Sequence, residues 1–216
     1  MWKSIFNLCA RRRAPSVPAW LENISSLPDL HALAGNRITE ADVPRFRELV
    51  QRLALKKLDF PKGVSRIGYI PLIEDRLFTL CIFYLPRGTF LPYHDHPGQH
   101  VALRVLAGQL AIETCDIQLQ SRSVVGHQYP LTNSEKLSLD PNSPVFIVRP
   151  SRDNIHEIRA EEDSMFLDFV VPPYSSANYI TYFEKIGNEL KAVRERDVDV
   201  AMDFIDVHSL ISDRCS

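Results

Sequence analysis

From Arg66 to Val171 the chain is cut into short apolar segments rich in Ile, Val, Leu, Phe and Tyr, with turn-formers between them. Leu77–Leu85, Val101–Leu106, Gln109–Cys115, Val145–Val148, Ile155–Ala160 and Met165–Val171 are each too short for a core helix and suit a strand. Many short strands at such spacing predict a β-sandwich or barrel. Glu161-Glu162-Asp163-Ser164 reads as a hairpin turn between the last two strands, and the polar stretch from Ser121 to Pro144 as mostly loop with one or two short strands. The chain after Tyr182 reads as a mixed tail with no assignable element.

Ahead of the strands, Ser25, Ser26, Pro28 and Gly35 bracket a short helix. Thr39 to Asp42 is a capping-box-like start for a second. Behind it Val43, Phe46, Leu49, Val50 and Leu53 recur at helical spacing, and the helix is expected to end near Pro61-Lys62-Gly63. Residues 1–24 read as a basic tail, and 25–216 as one domain with a barrel core at about 63–183. From Met1 to Leu21 there is no acidic residue but there are Lys3, Arg11, Arg12 and Arg13. That composition suits a mitochondrial transit peptide; a flexible basic tail on a cytoplasmic protein is the plainer reading.

The 216 residues, 45% hydrophobic and 24% charged, exclude a disordered chain and a disulfide miniprotein. Twenty-five basic against 27 acidic residues predict no nucleic-acid partner from bulk charge. No apolar run approaches the ~20 residues of a membrane span, and a monomer is expected. Cys9, Cys81, Cys115 and Cys215 lack metal or redox spacing, and Cys81 and Cys115 read as buried free thiols of a reducing compartment.

The chemistry sits in Gly88-Thr89-Phe90-Leu91-Pro92-Tyr93-His94-Asp95-His96-Pro97-Gly98. On a strand, residues i and i+2 share a face about 6.6 Å apart, so His94 and His96 converge on one ion while Asp95 points away. Pro97-Gly98 bends the chain directly afterwards. His156, opening a later strand, is the best third ligand. A bare His-x-His is more often surface or core than ligand, but the Gly and Pro bracket and the recurrence of His at a strand start favour a metal. His100 reads as pocket lining or as backing for a ligand. His31, His127 and His208 have no partners in sequence.

Closed structural zinc sites take four ligands, usually with thiolates, so three imidazoles imply an open, reactive site for Zn or Fe(II). Three neutral ligands leave the full charge on the ion and favour an anionic substrate such as a thiolate.

A glycine, five residues and His-x-His resemble the first motif of the cupins, with Gly108 as its closing glycine; the usual glutamate is replaced by His100 and Val101. Closer still, His94-Asp95-His96-Pro97-Gly98, Asn154-Ile155-His156 and Phe166-Leu167-Asp168-Phe169-Val170-Val171-Pro172-Pro173-Tyr174 resemble the thiol dioxygenases of the cysteamine dioxygenase and plant cysteine oxidase family. The resemblance covers about Gly63 to Phe183. It implies a mainly β fold: a cupin double-stranded β-helix, or jelly-roll barrel, with N-terminal helices.

It further implies Fe(2+) held by His94, His96 and His156, O2 as co-substrate, and Asp168 and Tyr174 as catalytic residues. The implied reaction converts a thiol, either cysteamine or the N-terminal cysteine of a peptide or protein, to a sulfinic acid. An oxygen-sensing role through the N-degron route is the family-level expectation. Asp168 would hydrogen-bond substrate amine or water, or orient a ligand; an inward carboxylate satisfied by its neighbours is the alternative. Tyr174, stiffened by two prolines, aims into the pocket or sits on its rim. Leu103, Val105, Leu110 and Phe169 are candidate pocket walls.

Two departures stand out. Arg152-Asp153-Asn154 replaces the family's Gly-Gly-Asn, and Ile180 stands where a cysteine crosslinked to Tyr182 would fall, so no crosslink is expected. The competing readings are a Zn- or Mn-dependent cupin isomerase or hydrolase and a non-enzymatic binding module.

Overall fold

The structure is a computed structural model that describes residues 20–23, 26–118, 123–175, 179–198 and 200–211. Cys9, Cys215 and most of the expected basic tail lie outside these residues. The described end of that expected tail is not a tail: Trp20 and Leu21 are buried in the core.

A short strand β1 (Leu21–Asn23) is followed by helices α1 (Leu27–Gly35) and α2 (Val43–Gln51), then β2 (Ala54–Leu55), which pairs with β1. The main strands are β3 (Ile67–Glu74), β4 (Thr79–Leu85), β5 (Phe90–Asp95), β6 (His100–Ala107), β7 (Leu110–Ile117), β8 (Gln128–Leu139), β9 (Phe146–Val148), β10 (Ile155–Ala160), β11 (Ser164–Val171), β12 (Tyr182–Ile186), β13 (Glu189–Val193) and β14 (Met202–Phe204). One sheet has the order β14-β3-β4-β11-β6-β9; the other closes on itself as β10-β5-β12-β13-β8-β7. From β4 to β7, and again from β9 to β11, the chain passes from one sheet to the other at each step. That winding is the double-stranded β-helix.

The capping box forms as the sequence predicts, on a 3-10 turn (Glu40–Asp42) that leads directly into α2. Thr39 N–H donates to Asp42 Oδ2 at 3.0 Å, and the Thr39 hydroxyl donates to the same oxygen at 2.6 Å. α2 ends about ten residues sooner than expected. Arg104 of β6 donates to the carbonyls of Val50, Gln51 and Leu53 at 3.0, 3.0 and 2.8 Å, and the chain then turns into β2. A cation on the last carbonyls is a favourable helix stop, and no local signal announces it, because the arginine comes from 54 residues downstream.

Three further expectations are corrected. The turn at 161–163 is no hairpin: β10 pairs with β5 and β7, whereas β11 pairs with β4 and β6, so the turn is a corner between sheets. Gly108 makes that corner tight, since at φ 79° a Cβ there would lie 2.3 Å from the Asp163 carbonyl oxygen. The polar stretch 121–144 contains β8, a 12-residue strand whose side chains are mostly exposed; its ladder with β7, not apolar burial, makes it a strand. Beyond residue 183, β12 and β13 form a hairpin across Gly187-Asn188 that completes the closed sheet.

Apolar residues fill two layers. Tyr69, Phe83, Leu91, Leu103, Val105, Leu110, Ile112, Ile158 and Phe166 meet between the sheets. Phe46 of α2 meets Phe78, Leu80, Ile82, Leu167 and Phe169 on the outer face of the first sheet. β11 serves both layers and is buried at every position. Among the described residues no helix is long and apolar enough to cross a membrane.

Candidate metal centre

His94, His96 and His156 come together at the inner face of the second sheet. His156 of β10 is the direct partner of His94 on β5. The ring centroids lie 4.5 Å apart for His94 and His156, 5.0 Å for His94 and His96, and 4.9 Å for His96 and His156. One ligand nitrogen from each lies within 4.8 Å of the other two.

A register shift aims the pair. Leu91 opposes Ile158 and His94 opposes His156, so β5 spends three residues where β10 spends two. Such a bulge re-aims side chains. It lets Leu91 and His94 both face inward, although simple alternation separates them, and it sends Tyr93 to the opposite face with Cys115 and Ile155. The Pro92 carbonyl accepts from His94 Nδ1 at 2.8 Å. Past the strand, His96 is held by Asn154. The Asn154 amide donates to the His96 carbonyl at 2.9 Å and to the Arg149 carbonyl at 2.8 Å, while His96 N–H donates to Asn154 Oδ1 at 3.2 Å. Asp95 points away, as expected, and accepts from Thr181 N–H at 2.6 Å.

Asp168 of β11 and Tyr174, just past that strand, line the same cavity with Phe83, Leu91, Ile158, Phe166 and Tyr182. Tyr174 is buried, and its hydroxyl lies 2.7 Å from His96 Nδ1. Burial pushes the Asp168 carboxyl up to about 7 from its ordinary 3.8. The same cause lowers His94 to about 4 and holds His96 and His156 well below 6.5, so all three imidazoles are neutral near pH 7, the form that binds metals. His96 Nε2 is buried with no hydrogen-bond partner. Three neutral, desolvated imidazoles that converge on one point, one of them with this orphaned nitrogen, fit a divalent cation.

Two of the expected pocket residues lie elsewhere. Phe169 packs on the outer layer, stacked on Phe78 at 4.5 Å, because its neighbour Asp168 takes the inward position and successive residues alternate faces. His100 points away from the cavity, with Nε2 4.0 Å from Glu40. Leu103, Val105 and Leu110 do face between the sheets but belong to its apolar part. The walls that sequence reasoning missed carry a signal: Phe166 and Ile158 lie two residues from Asp168 and His156. Asn154 and Gln99 were missed as supports. Gln99, fully buried, donates to the Pro172 carbonyl at 2.9 Å and so ties the His96 turn to the segment bearing Tyr174. In the departing loop, Asp153 adopts φ 55°, a left-handed conformation that Asp tolerates, and Arg152 is exposed and 3.5 Å from it.

A double-stranded β-helix with a three-histidine cluster in its interior, fit for a metal ion, defines the cupin class. The family model PCO_ADO matches residues 36–204, and the chain belongs to that family. It is 31% identical over 182 residues to 2-aminoethanethiol dioxygenase of Homo sapiens, which is 74% of this chain and 64% of that protein. It is 31% identical over 122 residues to the probable 2-aminoethanethiol dioxygenase of Dictyostelium discoideum, 55% of this chain and 56% of that one. With plant cysteine oxidase 2 of Arabidopsis thaliana it shares 26% over 124 residues, 54% of this chain and 44% of the plant protein. The chain thus spans 64% of the length of the human relative.

Proposed function

We propose that the protein is a non-haem Fe(II) thiol dioxygenase whose ion is held by His94, His96 and His156. The observation that carries the proposal is the meeting of these three neutral imidazoles with Asp168 and Tyr174 in one cavity of a PCO_ADO chain. The reaction is R–SH + O2 → R–SO2H: both oxygen atoms go to sulfur, which supplies all four electrons, so no external reductant is required. Fe(II), when bound, supplies the activation of O2 toward sulfur.

The chain's own residues do the rest. The Pro92 carbonyl fixes the His94 tautomer, and Tyr174 backs His96. Phe83, Leu91, Ile158 and Phe166 keep bulk water from the reacting sulfur. Asp168, poised near neutrality, takes the thiol proton or pairs with a substrate ammonium. The relatives' names specify 2-aminoethanethiol and cysteine, which share an amine two carbons from a thiol. The substrate proposed here carries that unit, as cysteamine or as the N-terminal cysteine of a peptide or protein. Oxygen sensing follows if turnover tracks O2 across its cellular range.

The test is to supply the Fe(II)-loaded protein with cysteamine, free cysteine and Cys-starting peptides. Oxygen uptake only with thiol, and a product heavier by two oxygen atoms, are expected; His94→Ala loses the iron and the product together. Iron-loaded protein that leaves every thiol unchanged overturns the proposal and returns the site to hydrolase or isomerase chemistry with Zn or Mn.

A further inference from the structure

Two of the three imidazoles have their Nδ1 atoms accounted for, by the Pro92 carbonyl and by Tyr174. The third does not: His156 Nδ1 is buried without a partner. Directly across the β10–β7 ladder, His156 is paired with Thr114, and the Thr114 hydroxyl is also buried without a partner. Thr114 is 1% exposed and His156 3%, so solvent satisfies neither. Directly opposed residues of antiparallel strands project to one face, with Cβ atoms about 5 Å apart. Along that face of β7 the two preceding inward residues, Leu110 and Ile112, are apolar core. A hydroxyl at the next inward position breaks the pattern exactly opposite a candidate ligand.

We propose that Thr114 is the positioning residue of the third ligand: its hydroxyl accepts the Nδ1–H of His156 when a cation holds the ring's other nitrogen. The inference rests on the metal-site reading above. Ligating histidines as a rule donate their second N–H to an oxygen, which fixes tautomer and ring orientation. Thr114 supplies that oxygen where neither a carbonyl nor a carboxylate does. It also completes a scheme in which each ligand is backed by a different group: a main-chain carbonyl, a phenol and an aliphatic hydroxyl.

The test uses the whole metal-free chain, Thr114→Val, which keeps the shape and removes the hydroxyl, and Thr114→Ser, which keeps the hydroxyl. Co(II) and Zn(II) affinities are measured by chelator competition, and the imidazole N–H resonances of the Zn(II)-loaded protein by NMR. Expected are a roughly 10- to 100-fold loss of affinity in T114V, recovery in T114S, and a slowly exchanging His156 Nδ1–H in the wild type and T114S that exchanges fast in T114V. Thermal stability of metal-free T114V should equal or exceed that of the wild type, because an unpartnered hydroxyl has been removed. A merely structural threonine would instead lower stability and affinity together. If T114V binds within twofold of the wild type, with His156 unchanged, the Thr114 role is overturned and the metal site stands. If the wild type binds neither ion, both readings fall.

Discussion

Asp168 is a carboxyl in an apolar cavity, and its burial has a measurable consequence. In the unfolded chain it ionises near 3.8, in the folded protein near 7. Between these values the native state holds a proton that the unfolded state has lost, so stability falls as pH rises from about 4 to about 7. Below that window the cost vanishes; above it the cost is complete, at most ~4 kcal/mol. Asp168→Asn keeps the shape and cannot ionise. The metal-free variant should match the wild type near pH 4 and exceed it at pH 8, read as the difference in urea midpoints. Parallel curves across that range would mean that the carboxyl is not held protonated. The cysteines show the same logic: Cys81 and Cys115 are buried, and burial pushes Cys115 up to about 12, so neither is a reactive thiolate at neutral pH.

At the scale of elements, one guanidinium of the first sheet both stops α2 and ties its end to β6. Arg104 faces away from the cavity, opposite in direction to Leu103, and satisfies three carbonyls at the end of α2. Arg104→Met, which keeps the aliphatic stem, should cost ~2–3 kcal/mol in denaturant unfolding and leave Co(II) affinity unchanged; a loss of affinity would mean that the helices help shape the site. Elements with their own apolar signature were legible in the sequence. Val43, Phe46, Leu49 and Val50 form the buried face of α2, and β4, β6, β7, β10 and β11 fall on the apolar runs. β8 was not legible because its strand character comes from hydrogen bonds to β7, which no local composition reports. The face of Phe169 was not legible because β11 is apolar on both sides from Met165 to Val171, so alternation along that run has only Asp168 to register against.

At the scale of the molecule, the site draws on β4, β5, β10, β11 and β12, the turn after β5 and the segment after β11, all between residues 79 and 186. It exists only once the second sheet has closed. A cation that binds the folded chain alone therefore stabilises it by mass action, about 2.7 kcal/mol at a hundredfold excess over its Kd. Adding Co(II) or Zn(II) to the metal-free protein should raise its melting temperature, and His156→Ala should abolish the rise while still unfolding cooperatively. An equal rise in His156→Ala would place the ion elsewhere. The amino-acid order alone determined the β class, the α2 start, the histidine pair and its distant third member, because each depends on short-range periodicity or on residue types with few other uses. Tertiary structure alone decided which strands are neighbours, that a bulge turns Leu91 and His94 to one side, that Asn154 and Gln99 brace the ligand loop, and that Thr114 stands beside His156. Those facts depend on strand register between segments far apart in the chain, and register is set by the closing of both sheets around one core rather than by any residue's own preference.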